Sequence, residues 1–173
     1  KYYLRELADL LKKPHQTIKP YVEKLVKEGI LIKNQRKNIV EYGINFKSKQ
    51  IYDYLVIAEK EKLIERLDEE TLLKVLFEKL SSFFTNNTFL LFGSSAEKIK
   101  KESDIDLLII GKLNINEITD EFEEVYSKKI HRVQISSLNK LNSSFIKEIY
   151  KKHLIFNNTE QIVRFFGELY EKN

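Results

Sequence analysis

The apolar run Thr88-Phe89-Leu90-Leu91-Phe92 closes on Gly93-Ser94-Ser95. A second run, Asp104-Ile105-Asp106-Leu107-Leu108-Ile109-Ile110, follows shortly after with two carboxylates at its head. Short continuous apolar runs bounded by turn residues read as buried strands. Such strands need cover on both faces, which makes a layered α/β unit the natural solution. Side chains two apart on a strand leave from the same face, so Asp104 and Asp106 are expected to project together. Carboxylates that close repel each other and invite a divalent cation, and hard oxygen donors suit Mg²⁺ or Mn²⁺. Gly93 lets the backbone approach a phosphate, and Ser94 with nearby amides can donate to it. Ser95 and Ser103 are the further hydroxyls expected at this pocket. A chance pair of strand aspartates is the plain alternative, but both strand contexts and the glycine-serine element agree with a site.

The segment LFGSSAEKIKKESDIDLLII resembles the polymerase-beta-like nucleotidyltransferase superfamily, and within it the minimal nucleotidyltransferases. Members of that group read Gly-Ser-x-Ala-Arg-Gly, a short loop, then Ser-Asp-x-Asp-Leu. The resemblance extends over roughly Leu76 to Phe166. It implies an NTP whose triphosphate sits on Gly93 and Ser94, and metal on Asp104 and Asp106 that positions the α-phosphate. Some members act as antitoxins that modify a helical toxin, which implies a toxin-like protein as a conceivable partner. The family also has a third carboxylate on a later strand, which helps activate the attacking hydroxyl.

Two departures stand out. Glu97-Lys98 replaces the family's Arg-Gly, which sets an acidic residue by the phosphate cradle unless Lys98, Lys100 or Lys101 compensates. The third-carboxylate strand is expected at Ile130–Ser136, with Val133 and Ile135 on its buried side and Gln134 at the aspartate's place. No Asp or Glu occurs between Glu124 and Glu148, and glutamine is neither a base nor a strong metal ligand. Two readings remain open, a nucleotide sensor without transfer activity and an enzyme in which Glu148 or a partner's residue supplies the missing function.

The first third has a different character. Residues 1–50 hold 12 Lys+Arg against 5 Asp+Glu, whereas the remainder holds 18 against 21, within a chain of net charge +4. A basic module joined to a mildly acidic one suggests polyanion binding, with a solvated lysine-rich surface as the bland alternative. Leu4, Leu7, Ala8 and Leu11 predict a helix over Tyr3–Lys12, which Lys13-Pro14 ends. A second helix from about Gln16 places Ile18, Val22, Leu25 and Val26 inward and stops at Glu28-Gly29, with Pro20 near its first turn. Ile30-Leu31-Ile32, a polar tip over Lys33–Asn38, and Ile39–Tyr42 predict a basic hairpin. The stretch LRELADLLKKPHQTIKPYVEKLVKEGILIK resembles winged-helix regulators over residues 1–46, with their first helix expected before Lys1. That resemblance implies His15, Gln16, Thr17, Lys19 and Lys24 at a DNA major groove and Lys33, Arg36 and Lys37 at phosphates. Protein contact or dimerisation is the competing use of such a module.

Ile51, Leu55, Ala58 and Leu63 predict a connecting helix over residues 47–68, either a dimerisation helix or a plain packing one. Residues 69–173 then form the nucleotidyltransferase-like domain, opening with a helix over Glu69–Phe84. The fold class expected is α+β: winged helix-turn-helix, connecting helix, and an α/β domain with a small mixed sheet. The chain has no cysteine, which excludes disulfides and thiolate chemistry and fits a cytoplasmic setting. It lacks a membrane-length apolar run and a signal peptide, and the absence of methionine suggests a trimmed start. His131 is read as structural, with contact to the nucleotide from the site face as its alternative; His153 and the aromatics Phe165, Phe166 and Tyr170 are read as structural. The leading expectation is a DNA-binding, homodimeric regulator whose second domain binds an NTP and Mg²⁺. The alternative is an active transferase acting on a protein or small-molecule hydroxyl.

Overall fold

A computed structural model describes residues 1–37 and 39–172, without the side chains of Arg36, Glu171 and Lys172. The chain divides into two compact units, Lys1–Leu55 and Val56–Asn173.

In the first unit, β1 (Tyr2–Tyr3) leads into α1 (Leu4–Leu11), α2 (His15–Lys27), β2 (Leu31–Arg36) and β3 (Ile39–Ile44). The three strands form an antiparallel sheet in the order β1-β3-β2. The Glu6 carboxylate accepts from the Tyr3 amide at 2.7 Å, one half of a capping box. Lys12 ends α1 in the left-handed region at φ 51°, and Pro14 follows, so the chain turns at once into α2. Ala8, Ile18, Val22, Ile30 and Tyr42 are buried here, whereas Leu11 is exposed although its spacing pointed inward. Pro20 is the sixth residue of α2. It lies one residue deeper than expected and costs the helix one amide donor. Asn38, at the end of the predicted tip, lies outside the described residues.

Helix α3 (Ile51–Glu69) runs on into the second unit, followed by α4 (Thr71–Ser81), β4 (Thr88–Phe92), a 3-10 turn over Gly93–Ala96 and β5 (Ile105–Ile110). Then come α5 (Asn116–Tyr126), β6 (Ile130–Ile135), α6 (Ser143–Lys151), β7 (His153–Ile155) and α7 (Thr159–Lys172). The sheet order is β6-β5-β4-β7, with β5 and β6 parallel and the other pairs antiparallel. The fold is therefore mixed α+β with two small sheets and seven α-helices among the described residues.

Alternation along the strands sends Phe89, Leu91, Ile105, Leu107 and Ile109 into one core with Leu73, Leu76 and Leu80 of α4 and Phe122 of α5. Leu90, Leu108 and Ile155 on the other face are equally buried, which explains why these strands are apolar throughout rather than alternating. α4 is held by the residues its periodicity named, with Leu72 and Phe77 packed against the same core. Among the described residues, no helix is long and apolar enough to cross a membrane.

One buried amide ties the sheet to the loop before it. Asn157 accepts from the Phe89 amide at 2.9 Å and donates to the carbonyls of Phe84 and Asn87 at 3.0 and 2.7 Å. Truncating it strands one donor and two acceptors away from water. Asn157→Ala is expected to lower unfolding free energy by about 3 kcal/mol, read as a lower urea midpoint at unchanged slope.

Candidate functional site

The glycine-serine loop is held by its third residue. Ser95 is fully buried; its hydroxyl donates to the Phe92 carbonyl at 2.8 Å and accepts from the Asp106 amide at 3.1 Å. That hydroxyl is committed to the backbone on both sides. Ser95, expected at the phosphate, is therefore a brace, because a buried hydroxyl with both roles used has nothing to offer a ligand. Ser94 is exposed at the rim. Ser103 donates its hydroxyl to the Lys100 carbonyl at 3.4 Å.

Gly93 has φ +62°, and a Cβ placed there would lie 2.9 Å from Oδ2 of Asp106. Only glycine takes this conformation without strain, and only glycine leaves the carboxylate uncovered. Asp106 is the second residue of β5 and Asp104 lies just before the strand, exposed. The strand start is fixed from behind by Lys128, a buried residue whose ammonium donates to the carbonyls of Lys100 and Lys101. The Ile105 amide donates to the Lys129 carbonyl at 2.9 Å. The loop beyond Ser95 is gripped in turn. Arg66 donates to the Ser95 carbonyl at 3.5 Å and pairs with Glu70 at 3.1 Å, and Glu70 accepts from the Ile99 amide at 3.2 Å.

Parallel pairing sets Asp106 beside His131, and His131 Nδ1 lies 3.1 Å from Oδ1 of Asp106. Beside Gly93 opens a cleft of about 450 Å³ lined by Ser144, Lys147, Glu148, Lys151 and Lys152. The Phe92–Phe145 contact, at 5.0 Å between ring centroids, seats α6 there, and Asn142 caps the helix by accepting from the Phe145 amide at 2.8 Å.

Residues 78–161 match the family described as polymerase beta, nucleotidyltransferase. The second unit carries a polymerase-beta-like nucleotidyltransferase domain. No curated protein matches the chain. Similar solved structures include a mutant of the toxin–antitoxin pair MntA–HpeT, 15% identical over 57% of this chain and 86% of that chain, with a TM-score of 0.42. Another is a toxin–antitoxin crystal structure with AMP-PNP, 17% identical over 56% and 85%, at 0.42. A third is a tri-AMPylated Shewanella oneidensis HEPN toxin in complex with MNT antitoxin, 16% identical over 57% and 83%, at 0.40.

Within the nucleotidyltransferase domain two readings of the sequence need correction. Gln134 does not stand at the third-carboxylate place: it pairs with Ile109 on the core-facing side and donates to the carbonyls of Gly111 and Leu113. The residue beside Asp106 is His131, three positions earlier. Val133 and Ile135 share His131's face and are half-buried as expected, whereas Arg132 and Gln134, on the face of buried Ile130, are exposed. Arg132 donates there to Asn116 and Thr119 of α5, both at 2.7 Å. The compensation for Glu97 comes first from Lys152 at 2.9 Å, with the charge of Lys100, one of the lysines near it in sequence, adding to it. That hydrogen bond holds the Glu97 carboxyl below its usual range.

His153 is used structurally, between the Ile149 carbonyl at 2.9 Å and Glu59 at 3.2 Å. Burial pushes the Glu59 carboxyl up, but the hydrogen bond and charge of His153 with the charge of Lys62 outweigh it, so the net shift is downward.

Asp104 and Asp106 are hard oxygen donors, and the bare backbone at Gly93 leaves room beside Asp106, so the residues suit a divalent cation with a phosphate. Among the described residues, no three His, Cys, Asp or Glu side chains already converge as a metal cluster. Gly93→Ala is expected to cost about 1–2 kcal/mol from the left-handed backbone alone and to abolish the binding of an ATP analogue. Ser94→Ala, at an exposed position, is expected to leave stability unchanged. Thermal melts and calorimetric titration of the two variants check this.

Proposed function

We propose that the nucleotidyltransferase domain transfers a nucleoside monophosphate from an NTP to a hydroxyl of a protein or small molecule. The observation that carries this reading is the pairing of a left-handed glycine with an open aspartate, Gly93 over Asp106, at the mouth of a lysine-lined cleft.

In this reading Gly93 admits the phosphates to the backbone and Ser94 donates its exposed hydroxyl to them. Asp104 and Asp106 would hold a divalent cation, which supplies charge neutralisation at the triphosphate. Lys147 and Lys151 face the departing phosphates from α6. The acceptor oxygen bonds to the α-phosphorus, the bond from that phosphorus to the β-phosphate bridge breaks, and pyrophosphate leaves. Glu148, the carboxylate of the same cleft, takes the proton from the acceptor hydroxyl. A toxin-like helical protein is one acceptor class that the sequence resemblance implies.

Incubation with α-labelled ATP, Mg²⁺ or Mn²⁺ and candidate acceptors tests the proposal. Asp104→Asn and Asp106→Asn are each expected to cut labelling by about 100-fold or more; undiminished labelling by either variant sinks it.

A second role is proposed for residues 1–46, a winged helix-turn-helix that binds DNA. What supports it is the arrangement of α1, a tight turn, α2 and the β2–β3 hairpin, with His15, Gln16, Thr17, Lys19 and Lys24 all exposed on α2. Lys37 is exposed at the hairpin tip, while the side chain of Arg36 lies outside the described residues. Lys24 and Lys33 already have acidic neighbours, Glu28 and Glu23, both at 3.8 Å, which leaves Lys19 as the stronger phosphate candidate. Mobility shifts with duplex DNA are expected to weaken with salt, and Lys19→Ala to reduce the logarithmic salt slope by about 1. No shift at low salt would remove this role.

A further inference from the structure

His131 occupies the place beside Asp106 that a third carboxylate would need, and its environment does not explain it as packing. The side chain is 61% exposed, yet its Nδ1 is fixed 3.1 Å from Oδ1 of Asp106. The register that sets it there is continuous, from Ile105↔Ile130 through Ile110↔Ile135, so the placement does not depend on a flexible loop. Adjacent ligands of an octahedral cation with bonds of about 2.1 Å stand about 3 Å apart, which is the spacing of this nitrogen and this oxygen. Asp106 Oδ2 lies under Gly93, where the phosphate backbone of a nucleotide would arrive.

Oxygen-only donor sets favour Mg²⁺, whereas an imidazole nitrogen favours transition-metal dications in the Irving–Williams sense. We infer that His131 is a ligand of the cation held by Asp104 and Asp106, and that this nitrogen turns the site's preference from Mg²⁺ toward Mn²⁺ and Co²⁺. The inference rests on the nucleotide-and-metal reading of the site but not on transfer itself. Asp106 and His131 are the two donors already brought together; phosphate oxygens and water complete the coordination.

The test is spectroscopic and uses the full chain. Mn²⁺ with a non-hydrolysable ATP analogue is titrated by electron paramagnetic resonance, and the bound ion is examined for nitrogen modulation from a directly coordinated imidazole. Wild type is expected to show that modulation and to bind Mn²⁺ at least about 10-fold more tightly than Mg²⁺ in competition. His131→Ala should lose the modulation and about 10-fold in Mn²⁺ affinity. His131→Asp should lose the modulation while raising Mg²⁺ affinity, which a folding defect would not do. His15 and His153 remain in both variants, so they serve as internal controls.

Bound Mn²⁺ without nitrogen modulation in wild type, or identical Mn²⁺ titrations for wild type and His131→Ala, overturns the inference. Labelling that proceeds equally with Mg²⁺ in wild type and His131→Ala also overturns it, while leaving the transfer proposal standing. Nitrogen modulation without any label transfer does the reverse.

Discussion

Everything at the site hangs on one buried hydroxyl. Ser95 Oγ joins the last carbonyl of β4 to the Asp106 amide of β5, across the point where the two strands stop pairing with each other. Ladder pairing ends at Leu91↔Leu107, so beyond it the backbone groups of Phe92 and Asp106 need other partners. Ser95 satisfies both, and in doing so it fixes the loop's path and turns Gly93 across the face of Asp106. The glycine-serine element is thus less a pair of phosphate ligands than a hinge pin with one bare residue ahead of it. Ser94 and Ser95 look alike in sequence but do opposite work, because one is exposed and the other has no exposure at all.

Around that pin the charges are arranged by elements far apart in the chain. Arg66 and Glu70 reach the loop from α3 and the turn before α4, and Lys128 reaches it from the start of β6. A buried lysine is costly unless its donors are used, and Lys128 uses them on two carbonyls of the segment leading to Asp104. The acidic intrusion at Glu97 is neutralised by Lys152 across 55 residues of sequence. This leaves Lys147 and Lys151 to set the sign of the cleft, which suits a polyphosphate better than a neutral ligand.

What the sequence made legible was local. The strands β4 and β5, the helix α4 with Leu73, Leu76 and Leu80, and the hairpin after α2 all follow from periodicity and turn residues, and the structure contains them with small shifts at their ends. Long-range pairing was not legible. Glu97–Lys152, Arg66–Ser95 and Asn157–Phe89 join residues 29 to 68 positions apart, and no spacing rule reports such contacts. α6 went unread for a related reason. Its first turn carries an asparagine cap and a half-buried Phe145, but the rings it packs on, Phe92 for Phe145 and Phe166 for Tyr150, lie far from it in sequence. His131 was seen, yet a lone strand histidine gives no sign of its partner until register is known.

Register, more than composition, decides the chemistry here. A strand alternates its faces residue by residue, so an error of an odd number of places moves a side chain from one side of the sheet to the other. Gln134 and His131 differ by three, an odd number, and for that reason one bonds the carbonyls of Gly111 and Leu113 while the other touches Asp106. A chain judged at Gln134 reads as a site stripped of its third donor. Judged at His131, the same chain has a donor of different hardness, and hardness selects the cation rather than forbidding one. The difference between a degenerate site and a retuned one therefore lies in which face of β6 meets Asp106, a property of strand pairing that no single residue type encodes.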